Sequence, residues 1–570
     1  MSDLLTKMAD QGLLDSTSID AVRASVAQGQ SLDEAVLGTK AIDEAQLLQF
    51  LSRQIEIPLI DLDKKQPEAK FLAQFPANLL IDHQLIPLRE QDGIVQLATS
   101  RLFNAVGVDE LRLATGREYQ LVLAPSNQIA RCLKSRLGIG ADTVQMIVSG
   151  AGADGIELLE DDEEELDLAS AAEDTSVIRF VNQVLTEAIE LRSTDVHFEP
   201  FENQLQVRYR IDGILMEANV PAEARKFHAA IVSRIKIMAH LDIAEKRLPQ
   251  DGRIKLKVSG REIDMRISVI PMLHGEAVVL RILDRSTPLI GLQALGMAEQ
   301  DMQTFEKVLH MPHGIVLVTG PTGSGKTTTL YSGLSSINDI ERKIVTIEDP
   351  VEYQLPGINQ IQVSAKAGLT FARGLRSILR HDPDVILIGE IRDQETAEIA
   401  VQASLTGHLV FSTLHTNDAP SAPTRLVDMG IEPYLVASSL EMVVAQRLVR
   451  LICPECKQPD TRDEIRLAAK NMHLPLPETY FFGAGCRACR GTGYRGRAGI
   501  FELMPVNEPL RALILKNRSA SEIRQLTLQH DMSTLHADGW RLVLHGQTTL
   551  EEVLRVCKDE QVNGNRNGAV

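Results

Sequence analysis

Cysteine is scarce in this chain, six in 570 residues. Four of the six fall in two C-x-x-C pairs, so no disulfide framework is encoded and a metal site in a reducing compartment fits better. Aromatic residues are only 4% of the total, too few for the stacking platform on which single-stranded nucleic acid is held. Positive charge is also in deficit: 59 Lys and Arg against 77 Asp and Glu give a net charge of −18. That balance excludes whole-surface attraction to DNA or anionic lipid, and nucleic acid is not an expected partner. No apolar run approaches the roughly 18 residues of a membrane span, and the opening MSDLLTKMADQ lacks a basic stretch followed by an apolar one. Neither secretion nor membrane spanning is encoded, and a cytoplasmic location is expected.

What the chain does have is the stretch Gly320-Pro321-Thr322-Gly323-Ser324-Gly325-Lys326-Thr327-Thr328, entered from the apolar run Gly314 to Thr319. It satisfies G-x-x-x-x-G-K-[ST] between a strand and a helix. Glycines let backbone N–H groups turn inward around phosphate oxygens, Lys326 reaches the β/γ-phosphates, the Thr327 hydroxyl suits Mg²⁺, and the helix N-terminus adds a favourable dipole. ATP and magnesium are therefore the expected ligands.

The length suits about three or four domains. The clearest boundary is 154–174, DGIELLEDDEEELDLASAAED, an acidic stretch that reads as a flexible linker. Before it, residues 1–65 read as short helices with a weak echo at a spacing of 28, Leu14-Asp15 and Ile19 answering to Ile42-Asp43 and Leu47. Residues 66–153 read as a small α/β unit with a hairpin about Asp92-Gly93 and a further strand YQLVLAPS. These two segments form a non-catalytic docking region. After the linker, 175–290 begins as an amphipathic helix and becomes strand-rich, carrying Arg208, Arg210, Arg253, Arg266 and Arg281. Period-2 alternation puts Arg208 and Arg210 on one face of their strand.

In 291–570, three apolar strands follow the cradle. Lys343 to Ile347 ends in Glu348-Asp349-Pro350-Val351-Glu352. Asp384 to Ile388 delivers Glu390, with Gly389 where many phosphate-loop ATPases carry a magnesium-organising aspartate. His408 and His415 flank Leu409 to Leu414. Carboxylates at the C-terminal edge of such strands lie where open α/β sheets bind ligands. Cys453-x-x-Cys456 and Cys486-x-x-Cys489 are two knuckles separated by 29 residues, including TRDEIRLAAKNMHL as a helical excursion. Four thiolates at this spacing make a closed structural zinc site. Cys132 and Cys557 read as buried small hydrophobes.

GPTGSGKTTTLY, TIEDPVEY, DPDVILIGEIRD, GHLVFSTLHTNDA, CPEC, CRAC and GYRGRAGIFELM, with STDVHFEP and RYRIDG upstream, stand in one order. In that set the chain resembles the secretion ATPases of type II secretion and type IV pilus assembly, along essentially its whole length. The resemblance implies an α/β multidomain fold: a RecA-like ATPase core with its tetracysteine module, a preceding PAS-like domain and an N-terminal docking region. It implies a magnesium-dependent homo-hexamer whose docking region meets an inner-membrane platform and cytoplasmic adaptor proteins, holding the ATPase peripherally at the membrane. It makes Glu390 the residue that activates or orients water, places Glu348 in an acidic box assisting metal and water, and puts His408 and His415 in a histidine box. The five arginines become charge stabilisers supplied to a neighbouring subunit. Some relatives bind cyclic di-GMP through an R-x-G at the head of each N-terminal repeat. Here those places read Gln11-Gly12 and Thr39-Lys40, so weak or absent binding is expected. A pilus or pseudopilus extension motor is favoured over retraction by the long front end and the four cysteines.

Overall fold

The computed structural model of the chain describes residues 2–27, 30–72, 74–103, 106–137, 157–158, 175–258, 260–284, 291–364, 366–462, 479–530 and 532–557. Two compact units divide it, 1–286 and 287–570. No helix among the described residues is long and apolar enough to cross a membrane.

The first unit opens with four helices, α1 (Ser2–Asp10), α2 (Ser16–Ala27), α3 (Leu32–Gly38) and α4 (Glu44–Ile55). The 28-residue echo is a repeated helix start. Asp15 accepts the Ser18 N–H at 2.8 Å, and Asp43 accepts the Gln46 N–H at 2.7 Å while Gln46 accepts that of Asp43 at 3.1 Å. Leu14 and Ile42 precede these caps, Ile19 and Leu47 follow four residues after them, and all four join one apolar cluster. That is the hydrophobic staple, used twice. Next come β1 (Leu85–Gln91) and β2 (Ile94–Thr99), an antiparallel hairpin, with β3 (Glu118–Leu123) parallel to β2. The turn places Asp92 at φ 53° and Gly93 at φ 78°, the double positive φ of a type I′ hairpin.

A seven-stranded sheet follows in the order β4-β8-β9-β10-β5-β6-β7, all neighbours antiparallel. Its strands are β4 (Glu157–Leu158), β5 (Asp195–Pro200), β6 (Leu205–Ile211), β7 (Ile214–Glu217), β8 (Gln250–Val258), β9 (Arg261–Met272) and β10 (Gly275–Asp284). Helices Thr175–Glu190 and His228–Met238 share its core, built on Phe180, Val184, Tyr209 and Ile235. Alternation along β6 buries Leu205, Val207 and Tyr209 and turns Arg208 and Arg210 outward, as the period requires. Within the expected linker, Glu157 and Leu158 instead form an edge strand, opposite Lys257 and Leu256. The rest of 154–174 lies outside the described residues.

The second unit is built on a sheet in the order β13-β12-β14-β15-β11-β16-β19, parallel except where β16 meets β19. The strands are β11 (Gly314–Thr319), β12 (Ile344–Glu348), β13 (Asn359–Gln362), β14 (Val385–Ile388), β15 (Leu409–Leu414), β16 (Leu440–Ile452) and β19 (Tyr494–Pro505); β17 (Lys457–Asp460) and β18 (Tyr480–Gly483) pair with each other. Every residue of β11 is buried. Ile315 and Leu317 face one core and Val316 and Val318 the other, which is why the strand reads as unbroken apolar sequence. Each such side chain contributes about 1.5–3 kcal/mol.

Candidate functional site

The cradle runs from the end of β11 into the helix Lys326–Ser336. Gly320 and Gly325 have φ 141° and 89°, and an added Cβ would stand 2.5 Å from the Gln446 carbonyl oxygen and 2.8 Å from Gln446 Nε2 respectively. No other residue fits either place. Gln446, buried on β16, also accepts the Thr329 hydroxyl at 2.8 Å. It thus braces the loop from behind, and its signal in sequence is a lone amide inside an apolar strand. Lys326 Nζ donates to the Gly320 and Pro321 carbonyls at 2.9 and 3.0 Å. Burial lowers the Lys326 pKa; the Glu390 carboxylate opposes this and the Arg447 guanidinium adds to it. The Thr319 and Ser324 hydroxyls are buried without a hydrogen-bond partner among the described residues. A cation under strain from burial beside orphaned hydroxyls fits a polyanionic tail.

Other strands deliver to the same edge. Thr319 is level with Leu414 and with Ala445 across the sheet, so His415 and Arg447 emerge beside the cradle. Glu390, just past β14, pairs with Arg392 and lies 3.3 Å from His415 Nε2. Arg447 donates to the carbonyl and side-chain oxygens of Asn417 at 3.4 and 3.2 Å. Thr327 stands half-buried in the first turn of the helix, where its hydroxyl suits magnesium. The structure thus brings Lys326, Glu390 and His415 together.

It does not bring in His408. That residue precedes β15, at the end opposite the cradle and about 20 Å along the strand, where its ring bonds the Ala403 carbonyl at 2.8 Å. Glu348 is also differently placed from the expectation that it serves metal and water. It is buried, and its two carboxylate oxygens accept from Thr346 at 2.6 Å and Gln360 at 3.2 Å, and from Tyr331. Glu352, four residues on, is half-buried, with its backbone N–H toward the Tyr331 hydroxyl. Sequence reasoning passed over Tyr331, Gln360, Gln446 and Arg447.

The arginines of the first unit meet carboxylates within their own sheet. Arg208 grips Glu199 with two bonds at 2.7 and 2.8 Å. Arg210 and Arg281 share Asp195 at 3.6 and 3.0 Å, and Arg253 pairs with Asp264. Arg266 stands directly between Arg253 and Arg281 in register.

The four cysteines close into one cluster. Their sulfurs all lie within 4.8 Å of one another, and Cys453–Cys486, Cys456–Cys489 and Cys486–Cys489 are each 3.7 Å apart. Tetrahedral zinc with Zn–S bonds near 2.3 Å sets sulfurs about 3.8 Å apart, so the cluster fits that metal with no position left for a substrate. Burial alone raises the Cys489 pKa, but N–H groups of Cys486 and Gly493, at 3.1 and 3.2 Å from its sulfur, help bring it down to about 6. The excursion between the knuckles, 463–478, lies outside the described residues. Cys132 and Cys557 are buried.

A mostly parallel sheet with a phosphate cradle after one inner strand and an acid on the next but one defines a phosphate-loop ATPase with a RecA-like core. The family model described as "Type II/IV secretion system protein" matches residues 170–555, and the chain belongs to that family as one of its ATPases. An MshEN domain model matches 55–141. The type IV pilus assembly ATPase PilB of Myxococcus xanthus is 44% identical over 531 residues, 92% of this chain and 93% of that one. Type II secretion system protein E of Xanthomonas campestris pv. campestris is 44% identical over 558 residues, 95% and 96% of the two chains. A crystal structure of the pilus retraction motor PilT with bound ADP aligns with TM-score 0.44 and 27% identity, covering 65% of this chain and 95% of that one.

Proposed function

We propose that this chain is a magnesium-dependent motor that hydrolyses ATP to drive assembly of a pilus or pseudopilus, as a homo-hexamer at the cytoplasmic face of the inner membrane. The observation that carries this reading is the meeting of Lys326, Glu390 and His415 at the C-terminal edge of one parallel sheet. Phosphoryl transfer needs positioning and charge neutralisation far more than covalent chemistry. Residues 320–328 hold the triphosphate, with Lys326 exchanging two loop carbonyls for phosphate oxygens. Thr327 would hold magnesium, which would supply charge neutralisation at the phosphates. Glu390 orients the attacking water while its partner His415 senses the terminal phosphate.

Arg208, Arg210, Arg253, Arg266 and Arg281 in the middle domain, 175–290, act on a neighbouring subunit's nucleotide. For four of them this means exchanging Glu199, Asp195 or Asp264 for phosphate. Residues 1–65 and 66–153 engage the platform and adaptor proteins, 154–174 tethers them, and the cysteine cluster of the ATPase domain, 291–570, holds one structural zinc. Secretion and pilus relatives match equally well over nearly the whole length, so the two machines share this reading. Glu390→Gln in full-length protein is the test: ATP turnover is expected to fall by about 10²-fold or more with ADP affinity kept. Unchanged turnover removes Glu390 from the reaction.

A further inference from the structure

Tyr331 lies five residues beyond Lys326 on the helix that closes the cradle, and it is fully buried. Its hydroxyl donates to Glu348 Oε2. Glu348 Oε1 accepts from Thr346 Oγ1 at 2.6 Å and Gln360 Nε2 at 3.2 Å. Gln360, on the edge strand β13, donates also to the Tyr353 carbonyl at 3.2 Å, reaches the Tyr331 oxygen at 3.4 Å, and accepts the Leu355 N–H at 2.8 Å. The Tyr353 ring meets that of Tyr331 edge-on at 4.7 Å. Burial raises the Tyr331 pKa far above its ordinary value, with Glu348 adding to the shift, and burial pushes that of Tyr353 up to about 12. Both phenols therefore keep their protons, and Tyr331 is a permanent donor.

These contacts join two pieces of chain. One is the helix whose first turn supplies Lys326 and Thr327. The other is the segment 349–358 between β12 and β13, which carries Asp349 and Glu352 at the sheet edge that holds the cradle. With Thr346, Gln360 and Tyr331 on its carboxylate, Glu348 is a hub, and the hub lies under the acidic segment.

We infer that Tyr331 and Gln360 are positioning residues that strap segment 349–358 to the nucleotide helix through Glu348, fixing where its carboxylates stand over the triphosphate. A shift of the helix is then passed to the acidic segment through the Tyr331 hydroxyl and its ring against Tyr353. In-line transfer is sensitive to displacements near 1 Å, so loosening the strap costs turnover and leaves nucleotide affinity alone.

The inference rests on the ATPase reading, and its test separates the two. Full-length wild type, Tyr331→Phe, Glu348→Gln and the double variant are compared for kcat, for KM and for binding of a fluorescent ADP, with thermal melts alongside. In Tyr331→Phe, kcat is expected to fall about 10-fold to 100-fold with ADP affinity within about 2-fold of wild type. The double variant should be no worse than the poorer single one, the mark of groups acting as a unit. Unchanged kcat in Tyr331→Phe, a parallel loss of kcat and ADP affinity, or multiplying losses in the double variant overturns the inference. If Tyr331→Phe does not fold, Gln360→Leu carries the same expectations. A wild type that binds ADP yet never hydrolyses ATP defeats the ATPase reading instead.

Discussion

The two seven-stranded sheets of this chain handle charge in opposite ways. In the antiparallel sheet, Arg208 finds Glu199 and Arg253 finds Asp264 on the strand beside it, 9 and 11 residues away in sequence. In the parallel sheet, Lys326 follows β11 through the cradle, Glu390 and His415 follow β14 and β15, and Arg447 lies within β16 beside them. A hairpin brings Arg208 and Arg253 their neighbours at once, whereas Arg281 reaches Asp195 across 86 residues. Parallel strands end on the same side and are linked by long crossovers, so their terminal groups gather at one edge, where Glu390 meets Arg392 and His415 and a ligand's phosphates can join them. Chemistry collects at the second kind of edge.

The comparison breaks if charges on both sheets matter equally to turnover in isolated protomers. Lys326→Ala should cut ATP turnover by about 10²-fold or more. Arg208→Ala in non-assembled protein should leave turnover unchanged and cost at most about 1 kcal/mol of stability. If Arg208→Ala lowers turnover only after assembly, its role between subunits is supported; measuring both states in one assay decides it. Next in size, metal analysis of wild type should give about one zinc per chain, and Cys486→Ser should lose it together with the folding contribution of that metal.

Within the antiparallel sheet, Asp195→Asn leaves Arg210 and Arg281 without their shared carboxylate. Chemical denaturation should show a loss of about 1–3 kcal/mol with nucleotide binding intact. Smallest, Asp43→Ala removes the cap of α4 and should cost about 1 kcal/mol, seen as a small downward shift in melting of an isolated N-terminal fragment if that fragment folds. A larger loss there would mean that the staple and cap cooperate.

Much was legible because the determinants are contiguous. Nine consecutive residues specify the cradle, each C-x-x-C pair is its own knuckle, Asp92-Gly93 dictates its turn, and each capping aspartate acts three residues ahead. The burial of Glu348 was not legible because its partners Tyr331 and Gln360 lie 17 and 12 residues away on other elements, and a short acidic run does not reveal which carboxylate turns inward. Alternation held a clue: Thr346 and Glu348 share the face of β12 that meets the nucleotide helix. The polar end of its strand singled out His415, and only the C-terminal end of a parallel strand faces the cradle, which leaves His408 at the far end. The pairing of Glu157 and Leu158 with β8 had no signal in an acidic stretch, since two residues carry no period.

The long strand β16 leaves one more mark on the molecule. Gln446 props the phosphate loop, and seven residues farther along the same backbone Cys453 enters the sulfur cluster. Between them the strand is clamped by β19 along one side and by the Glu552 grip on Arg450. One run of backbone therefore carries both the brace behind the phosphate loop and the first sulfur knuckle, with a register shift between Arg450 and Ile452 separating the two.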